Sequence, residues 1–296
     1  MNETLTLSAS RRYGTLSPLR YPGGKSALAG LFADLIQELG IDGAVYVEPY
    51  AGGAGAGIAL LREGIVDHLV VNDFDSAVHA FWHSVVHQNA AFVELIKSAQ
   101  LTITEWLKQR EIYRQGDVGR SLELGFAFFY LNRTNRSGVL TGGVIGGLDQ
   151  SGNYKIDARF NRETLVSRVE AIGALADRIT VRDDDGRSII RDYASDSNAF
   201  LYIDPPYVEA GSKLYLNAFD ARDHSDLATV VAAVTDAHWL MTYDRSPLIE
   251  QLYADFLTFP YDLNYSARYP GRASELMIVS SNLERAISAA AAIQSA

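Results

Sequence analysis

A chain of 296 residues with 48% apolar side chains can bury a full core as one large α/β domain carrying an insertion, and its lack of cysteine excludes disulfides, thiolate metal sites and cysteine nucleophiles. The net charge of −10 argues against a surface that grips nucleic acid throughout, because phosphate contacts need Lys and Arg. The charge is uneven, however: between Lys108 and Arg191, 14 Lys+Arg face 11 Asp+Glu, while the remainder carries 12 against 25, so a nucleic-acid surface belongs in that middle segment.

In chain order, residues 1–17 lack the apolar core of a signal peptide and no 18-residue apolar run follows, which predicts a soluble cytoplasmic protein with no membrane partner. Arg20 leads into Tyr21-Pro22-Gly23-Gly24-Lys25-Ser26, after which Leu28, Leu31, Phe32, Leu35, Ile36 and Leu39 recur at helical spacing up to Gly40. A P-loop would need glycine at position 19, which is Leu19. Gly24-Lys25-Ser26 therefore reads as a helix start whose free N–H groups and ammonium suit a carboxylate or phosphate.

The apolar run 44–47 reads as a buried strand ending in Glu48-Pro49-Tyr50, followed by a glycine loop (51–57) and a helix from Ile58. The next strand, 68–71, ends in Asn72-Asp73, about twenty residues beyond the glycines, where a Rossmann-like half places the acid that holds ribose hydroxyls. No glycine triplet here satisfies G-x-G-x-x-G, and Glu48 would repel a pyrophosphate while attracting a cation. The pattern therefore points to S-adenosylmethionine, with its sulfonium and ammonium, over a dinucleotide. His79, His83 and His87 stand at i, i+4 and i+8 on a helix, a spacing open to metal binding, but Phe81, Trp82, Val85 and Val86 supply the apolar face and leave the histidines as surface or packing residues. No metal is expected.

From Ala90 to Leu131 the pattern is helical, and Asn132-Arg133-Thr134-Asn135-Arg136-Ser137-Gly138 is dense in side chains of the kind that read bases and phosphates. The glycine-rich stretch from Gly142 to Lys155 reads as a loop or hairpin. Another helix begins at Asn161. A short strand, 178–182, runs into Asp183-Asp184-Asp185, which could reach the cofactor or cap the helix starting near Arg187; both readings stay open.

The apolar run 199–203 ends in Asp204-Pro205-Pro206-Tyr207, a rigid polar turn after a buried strand. A carboxylate, a fixed carbonyl and an aromatic ring within four residues can accept two N–H bonds from an exocyclic amine and stack on the flat ring that carries it, which fits a flipped-out nucleobase. Beyond it the pattern gives a helix over 227–234, a strand over 238–243, and strands at 262–264 and 276–279 forming a closing hairpin around Tyr265–Arg272.

Together these motifs resemble the Dam-type, D12-class DNA adenine-N6 methyltransferases, over residues 20 to about 282. Tyr21-Pro22-Gly23-Gly24-Lys25 is similar to the family's N-terminal cofactor motif, Glu48-Pro49-Tyr50-Ala51-Gly52-Gly53 to its main glycine motif, and Asn72-Asp73 to its ribose-binding acid. Phe129–Arg133 resembles the lead into its target-recognition region and Arg272–Leu276 its closing hairpin. The resemblance implies a Rossmann-like methyltransferase fold with a mixed seven-stranded sheet and helices on both faces. Residues 1–87 would form the cofactor-binding part of the catalytic domain, 88–160 an inserted, mostly helical and hairpin target-recognition region, and 161–296 the remainder. It further implies methyl transfer from S-adenosylmethionine to a flipped-out adenine in double-stranded DNA, with catalysis by Asp204, Pro205 and Tyr207, and it leaves room for a restriction or defence-system partner. The cofactor residues would be Tyr21, Gly24, Lys25, Glu48, Pro49, Tyr50, Gly52, Gly53, Asp73, Asp184 and Asp185; the DNA contacts would be Arg133, Asn135, Arg136, Lys155, Arg268 and Arg272. On the residues alone, a catalytically silent DNA-binding module and a methyltransferase acting on a protein amide or RNA adenine remain alternatives. The three-aspartate run and the acidic balance depart from the family pattern.

Overall fold

The computed structural model describes residues 5–7, 13, 16–20, 25–208, 219–263, 275–284 and 286–287. Parallel strands β2 (Val45–Glu48), β3 (His68–Asn72), β4 (Ile179–Arg182), β5 (Ala199–Ile203) and β6 (His238–Asp244) form the body of one sheet. The antiparallel strand β8 (Glu275–Val279) joins it to β7 (Leu257–Leu263), giving the expected mixed sheet of seven. An eighth, three-residue strand that the sequence pattern did not suggest, β1 (Leu5–Leu7), pairs in parallel with β7, so the full order is β1-β7-β8-β6-β5-β2-β3-β4. The strand expected at 262–264 begins earlier, at Leu257, and runs through Pro260, which stands opposite Leu276 and breaks the strand pattern in the sequence. Among the paired residues β1 reaches only Tyr261–Leu263, so Pro260 lies where one side of β7 is an edge and its missing N–H is tolerated.

The strands are buried on both faces, and their period of two separates two cores. Phe200 and Tyr202 of β5 point into one, while Ala199, Leu201 and Ile203 point into the other. The first core is covered by α1 (Ala29–Leu39), α2 (Gly55–Arg62), α3 (Ser76–His87), α4 (Asn89–Ser98), α5 (Ile103–Gln115), α6 (Ser121–Thr134) and α7 (Arg162–Gly173). The second lies under α8 (Gly186–Tyr193), α9 (Ala221–Ala232) and α10 (Pro247–Leu252). Helix α6 lies close on α3: a Cβ at Gly125 would stand 2.5 Å from the Ala80 carbonyl oxygen, and Phe81 stacks on Phe129 with centroids 6.0 Å apart. Residues 88–160 thus share the catalytic domain's core through an aromatic cluster.

This strand order fixes where a ligand can sit. The chain moves outward from β2 to β3 to β4, then returns to β5 on the other side of β2 and moves outward again to β6. The connections leave in opposite directions at the carboxyl ends of β2 and β5, opening the crevice that doubly wound sheets use for ligands. Glu48 ends β2, and Asp204 follows the last residue of β5.

Candidate active site

At the β2 side of the crevice, three strand-end turns are tied together by one fully buried side chain. Asn72 Nδ2 donates to the Pro49 carbonyl at 2.8 Å and to the Asp184 carbonyl at 3.0 Å, and its Oδ1 accepts from the Asp184 N–H at 2.9 Å. The glycine loop is pinned next to it: Ala51 N–H donates to Asn72 O, Gly52 N–H to Asp73 Oδ2 at 2.9 Å, and the Trp82 indole to Gly52 O at 2.9 Å. Gly52 has φ +47°, a left-handed conformation that glycine adopts without a Cβ penalty. These bonds bring Pro49, Tyr50, Gly52, Gly53, Asp73 and Asp184 to one place.

Two carboxyl groups flank the loop. Glu48 is buried, and Gly57 N–H in the first turn of α2 donates to its Oε1 at 3.0 Å. Burial, reinforced by the charge of Asp204, pushes its pKa up to about 8 against that bond. Asp73 accepts from Gly52 and from Asp75 N–H, and burial pushes it up to about 7. Phe74, the next residue, is 61% exposed, a large apolar ring beside the proposed ribose acid that the sequence reading passed over.

The aspartate run divides its work. Asp184 contributes its backbone to the Asn72 knot while its carboxylate accepts from Arg182 Nε at 2.6 Å. Asp185 caps α8 through the Arg187 N–H and holds the Arg187 guanidinium, so of the two open readings the described structure gives it the capping role. Tyr50 packs its ring where any Cβ at Gly186 would stand, at 2.5 Å. Tyr21 and Gly24 lie outside the described residues, as do Arg268 and Arg272.

At the β5 side, Asp204 Oδ1 accepts from Thr242 Oγ1 at 2.7 Å and from the Tyr207 hydroxyl at 3.0 Å, while Oδ2 has no partner among the described residues. Tyr202 in turn supports Thr242, with the two hydroxyl oxygens 2.8 Å apart. Burial raises the pKa of Asp204; the Lys25 charge and the two hydroxyl donors oppose that rise, and Glu275 adds to it. Lys25, expected near the methionine end of the cofactor or the active-site carboxylate, stands on the Asp204 side of the crevice. Its ammonium donates to Tyr207, Tyr261 and Glu275, because the short 3₁₀ turn Lys25–Leu28 carries it over the β7–β8 edge. Thr242 and Glu275 were not singled out from the sequence; both come from strands far along the chain that only the sheet order brings to Asp204.

The middle segment needs one correction. Asn135, expected to read DNA, is fully buried, and its side chain is engaged: Oδ1 accepts from the Trp106 indole at 2.7 Å, and Nδ2 donates to the Val139 and Leu140 carbonyls at 3.0 Å each. Arg136 is exposed, with its guanidinium over Gly143. Lys155 is exposed and donates to the Gln150 carbonyl. Arg133 is half-buried, and its Nε is buried with no hydrogen-bond partner. Burial, then the charges of Arg20, Arg168 and Arg159, lower its pKa to about 10. Four guanidinium groups thus converge beside α6, three of them on residues the sequence reading had not named as contacts.

Residues 21–265 match the family described as D12 class N6 adenine-specific DNA methyltransferase. The chain belongs to that family. Its reaction is therefore N6 methylation of adenine in DNA, as the resemblance implied. Among curated relatives, the Type II methyltransferase M.CviBI of Paramecium bursaria Chlorella virus NC1A is 22% identical over 260 residues, covering 87% of this chain and 94% of that protein. Similar solved structures include two of the rRNA methyltransferase AviRa from Streptomyces viridochromogenes, 15% identical over 90% of this chain and 89% of that one, with a TM-score of 0.37, too low to carry an argument. Family and fold imply S-adenosylmethionine as methyl donor. Among the described residues no helix is long and apolar enough to cross a membrane, and no cluster of three His, Asp or Glu side chains could hold a metal.

Proposed function

We propose that this D12-class enzyme holds S-adenosylmethionine across the Glu48–Gly53 loop and Asp73, and presents a flipped-out adenine of double-stranded DNA to Asp204, Pro205 and Tyr207. The residues suit that cofactor: Glu48 and Asp73 flank a loop of backbone N–H groups, and carboxyl groups whose pKa values are raised by burial can bond ribose hydroxyls and an ammonium and ionise beside a cation, whereas a pyrophosphate would raise them further. Bound there, the cofactor supplies an electrophilic methyl group. The chain's own part is to make adenine N6 a nucleophile, since its lone pair is delocalised into the ring. N6–H donation to Asp204 Oδ2 and the Pro205 carbonyl favours a pyramidal nitrogen with its lone pair directed at the methyl carbon. Tyr207 supplies a stacking face worth roughly 1–3 kcal/mol.

The observation that supports this reading is the state of Asp204 at the end of β5: one oxygen fixed by two hydroxyls, the other without a partner among the described residues. Incubation with tritiated S-adenosylmethionine and N6-unmethylated plasmid DNA, followed by nucleoside analysis, should yield N6-methyladenine. Label found only in RNA or protein would refute the DNA reading.

Asp73→Ala is expected to weaken S-adenosylmethionine binding about 10- to 100-fold, through lost ribose bonds and a loosened Gly52 N–H. Phe74→Ala should cost about tenfold if its exposed ring covers the adenine of the cofactor. Unchanged calorimetric affinity in both would move the nucleoside site elsewhere.

For DNA, the support lies in Arg133. A partly desolvated guanidinium facing three others, with no acid against it among the described residues, is a place where a phosphate relieves repulsion. Arg133→Ala should weaken binding to all duplexes alike and lower the salt slope by about one. A sequence-selective loss of roughly 1–3 kcal/mol would instead make Arg133 a base reader.

A further inference from the structure

The closing hairpin brings to the active-site edge a carboxylate that the reaction as described above does not use. Glu275 opens β8, and the register sets it beside Asp244 at the end of β6 and beside Tyr261 on β7. Because β8 runs antiparallel to β6, its first residue stands at the same edge as the carboxyl ends of the parallel strands, where Asp204 lies. Glu275 Oε2 accepts from Lys25 Nζ at 2.5 Å, from the Tyr207 hydroxyl at 3.2 Å and from the Tyr261 hydroxyl. The Lys25 and Glu275 side chains are 6% and 17% exposed, so solvent screens this pair little.

The Tyr207 hydroxyl is the junction. It lies 3.0 Å from Lys25 Nζ, 3.0 Å from Asp204 Oδ1 and 3.2 Å from Glu275 Oε2. An ammonium has no lone pair, so Lys25 donates to the phenolic oxygen, and the single phenolic proton can go to Asp204 or to Glu275 but not to both. Lys25 is also close enough to Asp204 for its charge to oppose the rise in that carboxyl's pKa. Two carboxylates therefore compete for one ammonium and one hydroxyl, and Asp204 Oδ2 stays open only while Glu275 keeps hold of Lys25. Without Glu275, Lys25 would be released toward Asp204, with which it already shares the Tyr207 hydroxyl, and the ammonium would compete for the acceptor that adenine N6–H needs.

We infer that Glu275 is a positioning residue for methyl transfer: it draws Lys25 away from Asp204 and holds that ammonium against the Tyr207 oxygen, so that the phenolic hydroxyl keeps donating to Asp204 Oδ1, the ring is held and the other Asp204 oxygen remains available to the base. The inference rests on the assignment of Asp204 and Tyr207 proposed above.

The test is steady-state kinetics with tritiated S-adenosylmethionine and N6-unmethylated plasmid DNA on Glu275→Gln, Lys25→Met, the double variant and Asp204→Asn, with melting curves for each. Glu275→Gln should lose about 10- to 100-fold in kcat with the KM for S-adenosylmethionine changed less than about threefold. The double variant should turn over faster than Glu275→Gln, because removing Lys25 releases Asp204; two independent structural losses would make it slower than either single variant. Wild-type kcat in Glu275→Gln, or a double variant slower than both singles, overturns the inference provided Asp204→Asn is inactive. Activity in Asp204→Asn would instead overturn the underlying assignment. Should Glu275→Gln fail to fold, Tyr207→Phe cuts the same junction while keeping the ring, and wild-type kcat there overturns the inference by itself.

Discussion

Asp204→Asn is expected to keep the fold and the affinity for S-adenosylmethionine while methyl transfer falls by about 100- to 10,000-fold. The size of the loss follows from how the carboxylate is held. Its Oδ1 already accepts two hydroxyl donors, Thr242 and Tyr207. An asparagine would place its carbonyl oxygen there, since its NH2 cannot accept those bonds, and the NH2 would then face the adenine. Two sets of N–H donors would meet, and N6 would lose the acceptor that draws its lone pair out of the ring. The same residue should set the acid limb of the wild-type rate. Burial holds its pKa above the ordinary aspartate value, and the reaction needs the unprotonated form, so kcat is full above that raised pKa and falls as pH drops through it. Single-turnover rates across pH, with calorimetry for the cofactor, check both statements; near-normal turnover in Asp204→Asn would remove the residue from the mechanism.

Asp204, the carboxylate proposed as catalytic, was legible because it follows an apolar strand, and the ends of parallel strands are where a doubly wound sheet places its chemistry. Glu48 and Asp73 were legible for the same reason, each standing just at or beyond the end of β2 or β3. What the sequence hid is whatever depends on strands separated along the chain. Thr242 reads as one more residue of a buried run, and Glu275 as the start of a hairpin strand, until the order β8-β6-β5 puts both beside Asp204. The Asn72 knot was half visible: the motif stood out for its aspartate, while the buried asparagine before it does the tying. The polar run from Asn132 misled for a different reason. Helix α6 continues through Thr134, so Asn132 and Asn135, three apart, both turn inward, Arg133 is half-buried between them, and only Arg136, beyond the extended Asn135, stands out in solvent. Composition marked the segment as the DNA-facing candidate without separating solvent-facing side chains from buried scaffold.

Asn135→Ala is therefore expected to act on stability. The substitution leaves the buried Trp106 indole N–H without its 2.7 Å acceptor and the Val139 and Leu140 carbonyls without a donor, and it opens a void beneath the turn that leads into the glycine-rich loop. Unmet buried hydrogen bonds of this kind cost about 1–3 kcal/mol each, partly recovered by water where the turn can open, so a net loss of roughly 2–4 kcal/mol is expected. For a chain of this size that corresponds to a fall in Tm of about 3–7 °C. Because Arg20 Nη1 donates to the Asn135 carbonyl, and the Arg20 backbone is gripped at both N–H and C=O by Asn132, the loosened turn should also release the arginine cluster. Proteolysis should then cut within residues 136–155 of the variant at temperatures where wild type resists. Arg136→Ala provides the contrast: its exposed guanidinium has no buried partner to abandon, so Tm should stay within about 2 °C of wild type while DNA binding weakens. If Asn135→Ala melted like wild type and changed only which DNA sequences are methylated, the buried side chain would after all reach the duplex, and the turn would have to open on binding to let it.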